Sequence, residues 1–217
     1  MRQPVALVVA KSPVVGKAKT RLGREVGMER AADLAAAALL DTVSACATAY
    51  GAARCHLALD GILAHGRRAD ELLEATADWT FHPQRGDGFA DRLLHAHQDA
   101  AAFSGAPVVQ VGMDTPHLHA EALVDAGALL TGPDEAVLGP AFDGGWWLLG
   151  VGGPHLLAHL HEVPMSTPET GVLTRGALVR AGARVTDIAM LRDVDQVVDA
   201  ESVAAEAPET RFARSWR

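Results

Sequence analysis

Two short apolar runs constrain this chain most, residues 5–10 and residues 108–112. Runs of that length read as strands covered on both faces, because a half-exposed strand would alternate with polar residues. Shorter strand-like segments are expected at 55–59, 79–82, 136–138, 146–151 and 184–188. Between them lie helical segments: an Ala/Leu-rich one over 28–50, a charged one over 67–75, and others over 90–103, 117–130, 168–181 and 195–206. Ser166 and Glu169 are spaced as a capping box before the 168–181 helix, and Asp195 stands as a cap for the last one. Residues 11–24, polar and carrying Pro13 and Gly16, read as a loop. Strands alternating with helices predict an α/β layer architecture with a mostly parallel sheet, and residues 1–217 read as a single domain.

Composition excludes several function classes. The 217 residues carry a formal charge of -8 and no basic stripe, which argues against a nucleic-acid surface. No apolar run approaches the ~18 residues of a membrane span. The N-terminal apolar run lacks a small-residue cleavage signal and meets Lys11 at once, so a buried strand is expected there rather than a signal peptide. Cys46 and Cys55 form neither a disulfide framework nor a ligand cluster, which makes the cytoplasm the default compartment. A monomer or homodimer is expected.

The chemistry is expected beyond the carboxyl ends of the strands, where open α/β sheets bind ligands. The chain has three lysines, Lys11, Lys17 and Lys19, all in the loop after the first strand and joined there by Arg21. Compact ammonium charge beside a guanidinium fork suits polyphosphate, and Gly16 would let the backbone approach it. A solvated basic loop is the plainer alternative. The loop is not a Walker A motif, since the glycine run and the Gly-Lys-Ser/Thr end are missing. Asp114 follows the 108–112 strand between Gly112 and Pro116, placed to hold a divalent ion or to cap the next helix. Asp143, Gly144 and Gly145 form a turn whose glycines suggest a close backbone approach, with Trp146 and Trp147 as an apolar wall or as core. Asp195 reads as a helix cap, while Asp193 could complete a metal site. A second polar loop carries Gly86, Asp91 and Arg92; Arg92 stands unfavourably against a helix dipole, so it is held for an anion or paired with Asp87 or Asp91.

Taken in order, Lys11, Pro13, Gly16, Lys19, Thr20, Arg21 and Leu22, then Gly86, Asp91 and Arg92, then Gly112, Asp114 and Pro116, then Gly139, Pro140, Asp143, Gly144 and Gly145, resemble the bacterial DUF2064 family. That family is similar to nucleotide-diphospho-sugar transferases, and more distantly to the guanylyltransferases of molybdenum-cofactor and 2-phospho-lactate (deazaflavin-cofactor) synthesis. The resemblance implies a GT-A-like Rossmannoid three-layer sandwich with a mostly parallel, mixed central sheet. It implies nucleotide phosphates on Lys11, Gly16, Lys17, Lys19, Thr20 and Arg21, with Lys19, Arg21 and Asp114 catalytic. Mg²⁺ or Mn²⁺ would sit at Asp114 with Asp193 or Asp195. Gly86, Asp91, Arg92, Asp143, Gly144, Gly145 and Trp146 would bind substrate. Two departures stand out: Trp146 replaces a tyrosine common after the paired glycines, and Asp114 is single where many sugar transferases have Asp-X-Asp.

The leading expectation is a metal-dependent nucleotidyltransferase moving NMP from a nucleoside triphosphate to a small phosphorylated or acidic acceptor, with release of pyrophosphate. The alternatives are a glycosyltransferase using a nucleoside-diphosphate sugar, and a nucleotide-binding protein without catalysis.

Overall fold

The computed structural model describes residues 2–217. The first apolar run forms β1 (Val5–Lys11); its pleat sends Ala6, Val8 and Ala10 to one face and Val5, Leu7 and Val9 to the other. Both faces meet core, which is why the strand stays apolar until Lys11. It is followed by α1 (Thr20–Val26), α2 (Met28–Tyr50), β2 (Cys55–Asp60), α3 (Ala69–Ala75), β3 (Thr80–Pro83), α4 (Phe89–Ser104), β4 (Val108–Val111) and α5 (Ala120–Ala128). The second half supplies β5 (Glu135–Pro140), β6 (Trp146–Val151), α6 (Thr170–Arg180), β7 (Arg184–Asp187), α7 (Val197–Glu206) and α8 (Arg211–Trp216).

The strands form one seven-stranded sheet in the order β3-β2-β1-β4-β6-β5-β7. All neighbours are parallel except β6, which runs antiparallel to both β4 and β5. Helices α2 and α5 cover one face around Leu39, Val43, Leu57 and Leu123, and α4 and α6 cover the other around Leu7, Leu93, Leu149 and Leu178. A third cluster joins α1, α2, α7 and α8 through Leu22, Leu34, Val203 and Phe212. The three-layer α/β sandwich with a mixed sheet is the expected architecture.

Several local expectations are corrected. The loop ends early, because α1 starts at Thr20 to bury Leu22 and Gly23. The Ser166–Glu169 capping box does not form: α6 begins at Thr170, Ser166 sits at φ +61°, and Thr167 Oγ1 accepts from the Glu169 amide instead. Asp195 caps nothing; Gln196 and Asp199 make the capping box of α7, with the Gln196 amide donating to Asp199 Oδ2 at 3.0 Å. The 117–130 helix shrinks to α5, and α8 was not anticipated. Helix α2 is 23 residues long with a window of mean hydropathy 1.3, long and apolar enough to cross a membrane, contrary to expectation. Since 72% of that window is buried inside the fold, its apolarity faces the core.

Candidate active site

Strand order reverses between β1 and β4, so the loops leaving their carboxyl ends diverge and open a crevice. The lysine loop leaves β1 there, and Asp114 follows β4. Because β6 is antiparallel, its entry turn at Asp143–Gly145 comes to the same edge. The segment after β7 returns as well: Leu191 bridges to Ala141, and the Val194 amide donates to the Asp114 carbonyl at 2.9 Å. Four segments distant in sequence thus meet at one sheet end.

Lys19 is the centre of the group. It occupies the left-handed region at φ +50°, a conformation that costs a non-glycine residue about 1–2 kcal/mol. Its ammonium group is buried, with the side chain 5% exposed, and contacts Asp114 Oδ1 at 2.6 Å, the Val194 carbonyl, and Asp195 Oδ1 at 3.7 Å. Arg21 reaches the other oxygen of Asp195 at 3.2 Å. Beside them Thr115 Oγ1 donates to Asp193 Oδ1 at 3.0 Å. Burial, and then the Asp114 carboxylate, push the Asp193 carboxyl up to about 7; the Thr115 hydrogen bond opposes this, Asp143 adds to it, and Lys19 offsets only part. At Asp193, burial and the neighbouring carboxylates together outweigh Thr115 and Lys19.

Two adjoining cavities share Phe89, Met113, Asp114, Ser166 and Asp195. The larger, about 390 Å³, is edged by Lys11, Lys17, Lys19, Thr20 and Arg21. The smaller, about 210 Å³, meets Asp114, Asp143, Gly145, Trp146, Asp193 and Asp195 and contains no lysine or arginine. Lys11 stands 3.8 Å from Asp60. Gly16 takes φ +75° in the loop and lines neither cavity.

Gly86, Asp91 and Arg92 are not brought to the crevice lining. Gly86 is needed because a Cβ there would stand 2.6 Å from that of Asp91. Arg92 pairs with neither Asp87 nor Asp91 but with Asp60, at 3.2 Å. Gly144 also lines neither cavity; its backbone passes against Pro168. Sequence reading missed Phe89, Gln110, Met165, Thr167 and Thr170 among the lining residues. Only Gln110 carried a signal, as the lone polar residue within a buried strand.

Among the described residues no group of three or more His, Cys, Asp or Glu is arranged to hold a metal ion unaided. The donor set nevertheless suits a hard cation. Magnesium is commonly held by one or two carboxylates plus substrate phosphates, and Asp114 and Asp193, which line the same cavity, supply those two.

Comparison with known proteins places this geometry among relatives. A structure from Desulfovibrio desulfuricans G20, described as a candidate nucleotide-diphospho-sugar transferase, superposes with a TM-score of 0.83 at 26% identity, covering 100% of this chain and 93% of that one. A cytidylyltransferase from Leptospira borgpetersenii serovar Hardjo-bovis (strain JB197) gives a TM-score of 0.59 at 13% identity, covering 99% and 92%. CMP:2-keto-3-deoxy-manno-octonic acid synthetase complexed with CTP gives 0.55 at 15%, covering 96% and 100%. At those identities the last two establish the GT-A-like fold alone. No curated protein matches the chain. The profile of the family described as "Uncharacterized protein conserved in bacteria (DUF2064)" matches residues 42–167, more than half of the sequence. The chain belongs to the DUF2064 family, within the nucleotide-diphospho-sugar transferase superfamily.

Proposed function

We propose that this protein is a transferase acting on nucleotides, and specifically a divalent-metal-dependent nucleotidyltransferase. One observation carries the reading: a cation-lined cavity and a carboxylate-lined cavity meet at Asp114 and Asp195, with buried Lys19 between them. Triphosphate charge suits the Lys11, Lys17 and Arg21 side, where Lys19 and Arg21 lie nearest the leaving pyrophosphate. Asp114 and Asp193 would hold Mg²⁺ or Mn²⁺, whose chemistry is to neutralise a phosphoryl oxygen and orient it for attack. The chain's residues contribute position and fixed charge, so no side-chain nucleophile is needed. The acceptor enters from the Asp143–Trp146 side, with its reacting group at the junction.

Incubation with Mg²⁺ or Mn²⁺, a panel of nucleoside triphosphates and small phosphorylated acceptors tests this by pyrophosphate release. Asp114→Ala is expected to lower metal-dependent turnover by on the order of 100-fold or more. Unchanged turnover in that variant would remove Asp114 from the mechanism. The description of the Desulfovibrio relative favours a second reading, glycosyl transfer from a nucleoside-diphosphate sugar in the same cavities. Release of nucleoside diphosphate in place of pyrophosphate would select it.

A further inference from the structure

The smaller cavity has a floor that the transfer chemistry does not use. Gln110 sits on β4, four residues before Asp114, and its side chain lines that cavity although the residue is only 2% exposed. It makes no hydrogen bond to the described residues, and its Oε1 is buried without a partner. Behind it His97, fully buried on α4, also has both ring nitrogens unpartnered. Burial lowers the His97 pKa to about 4, opposed by the Gln110 side chain. Of the two ends of the Gln110 amide only Oε1 is sealed off, so Nε2 is the end open to the cavity. A ligand that seals this amide N–H from water without accepting from it forfeits about 1–3 kcal/mol, so a ligand atom that satisfies it is selected over one that cannot.

The walls narrow the ligand class. Val9, Trp146 and Met165 are apolar, four carboxylates line the cavity, and neither lysine nor arginine does. An anionic group driven into it would meet like charge with no compensating cation.

We propose that Gln110 determines acceptor specificity: its amide donates to an uncharged oxygen, a hydroxyl or carbonyl, on the part of the acceptor remote from the reacting group, and this cavity rejects a second anionic group there. The naming of that ligand as the acceptor rests on the transfer reading above; the selectivity of the cavity does not.

Trp146 and Trp147 both line the cavity, so tryptophan fluorescence reports its occupancy. The metal-free protein is titrated with D-glucose, myo-inositol and glycerol, each against an anionic counterpart: D-gluconate, inositol hexakisphosphate and 3-phosphoglycerate. At least one uncharged polyol is expected to saturate, with its counterpart binding tenfold or more weakly. In Gln110→Leu and Gln110→Glu the Kd of that polyol is expected to rise at least tenfold. Should Gln110→Leu fail to fold, judged by its melting profile, Gln110→Glu and Gln110→Asn decide. The proposal is overturned if no polyol saturates, if the anionic counterpart binds equally well, or if folded Gln110 variants keep the Kd within twofold. Pyrophosphate release scores the transfer reading separately. Polyol binding without release keeps the cavity assignment and removes nucleotidyl transfer, and release with polyol binding indifferent to Gln110 does the reverse.

Discussion

Asp193 shows what a shared site demands of one residue. Its carboxyl titrates near 7 in the fold, against about 3.9 for a free aspartate. The folded state therefore holds a proton across the interval where the unfolded chain has released it. Between pH 4 and 7 the folded chain binds more protons, so this residue's contribution to stability falls as pH rises and is lowest above 7. In metal-free Asp193→Asn that dependence should disappear, leaving the variant more stable than wild type at pH 8 by on the order of 1–3 kcal/mol. Urea denaturation at pH 5 and pH 8 checks it, and a wild-type pH slope retained by the variant would show that the raised pKa lies elsewhere. Residues of this kind were legible in part. The acids announced themselves by following strands or turns, but their crowding depends on segments some 80 residues apart meeting at the β1–β4 crevice. Gln110 stood in plain view as a polar residue in an apolar strand, yet its importance comes from His97 behind it and the cavity before it.

At the scale of elements, the paired glycines after Asp143 illustrate a correct signal with an unexpected cause. Their presence implied a close backbone approach, and the approach is to the chain itself. At Gly144, φ is +87° and an added Cβ would fall 2.0 Å from the Pro168 carbonyl oxygen, at the entry to α6. The Gly171 amide donates to the Gly144 carbonyl at 2.8 Å and fastens the same junction. Gly144→Ala should cost at least about 2 kcal/mol by equilibrium unfolding, because backbone strain and a carbonyl clash add. Gly182 is the matched control, with φ +93° and nothing within 4 Å of an added Cβ; its alanine variant should lose only about 1 kcal/mol from strain. Equal losses at the two sites would mean that the Pro168 contact carries no weight. Helix α8 depends on a similarly hidden contact. The buried Asp41 side chain, from the middle of α2, accepts from the Arg211 amide at 3.0 Å and the Phe212 amide at 2.9 Å. Asp41→Ala should leave the Arg211 and Phe212 amides without that acceptor while Thr210 still caps the Ala213 amide, at a cost of about 0.5–2 kcal/mol read by the same unfolding measurement. Apolar runs revealed the strands because burial on two faces leaves a compositional mark. Caps did not, since a side chain from a distant helix can satisfy a terminus as well as a local one.

For the whole molecule, a charge of -8 should discourage a polyanionic ligand, and the fold answers by gathering all three lysines at one sheet end. Their clustering was readable, but the commitment of Lys19 to Asp114, Asp195 and the Val194 carbonyl was not, because those partners lie about 95 to 175 residues away in sequence. The arrangement couples ligand binding to the stability of the entire chain. A nucleotide with its metal would join the lysine loop, the Asp114 turn and the Asp193 segment, none of which remains joined in the unfolded state. A ligand at 100 times its Kd stabilises by about 2.7 kcal/mol, which for a chain of this size corresponds to a rise in Tm of roughly 5–10 °C. Thermal melts with nucleoside triphosphate plus Mn²⁺ should show that rise for at least one base, and Mn²⁺ or nucleotide alone should give less than half of it. Asp114→Ala should lose the synergy while keeping part of the response to nucleotide, because the cation-lined cavity survives the substitution. A shift of equal size without metal, or one untouched by Asp114→Ala, would separate the phosphate site from the carboxylates and leave a nucleotide-binding crevice that does not use them.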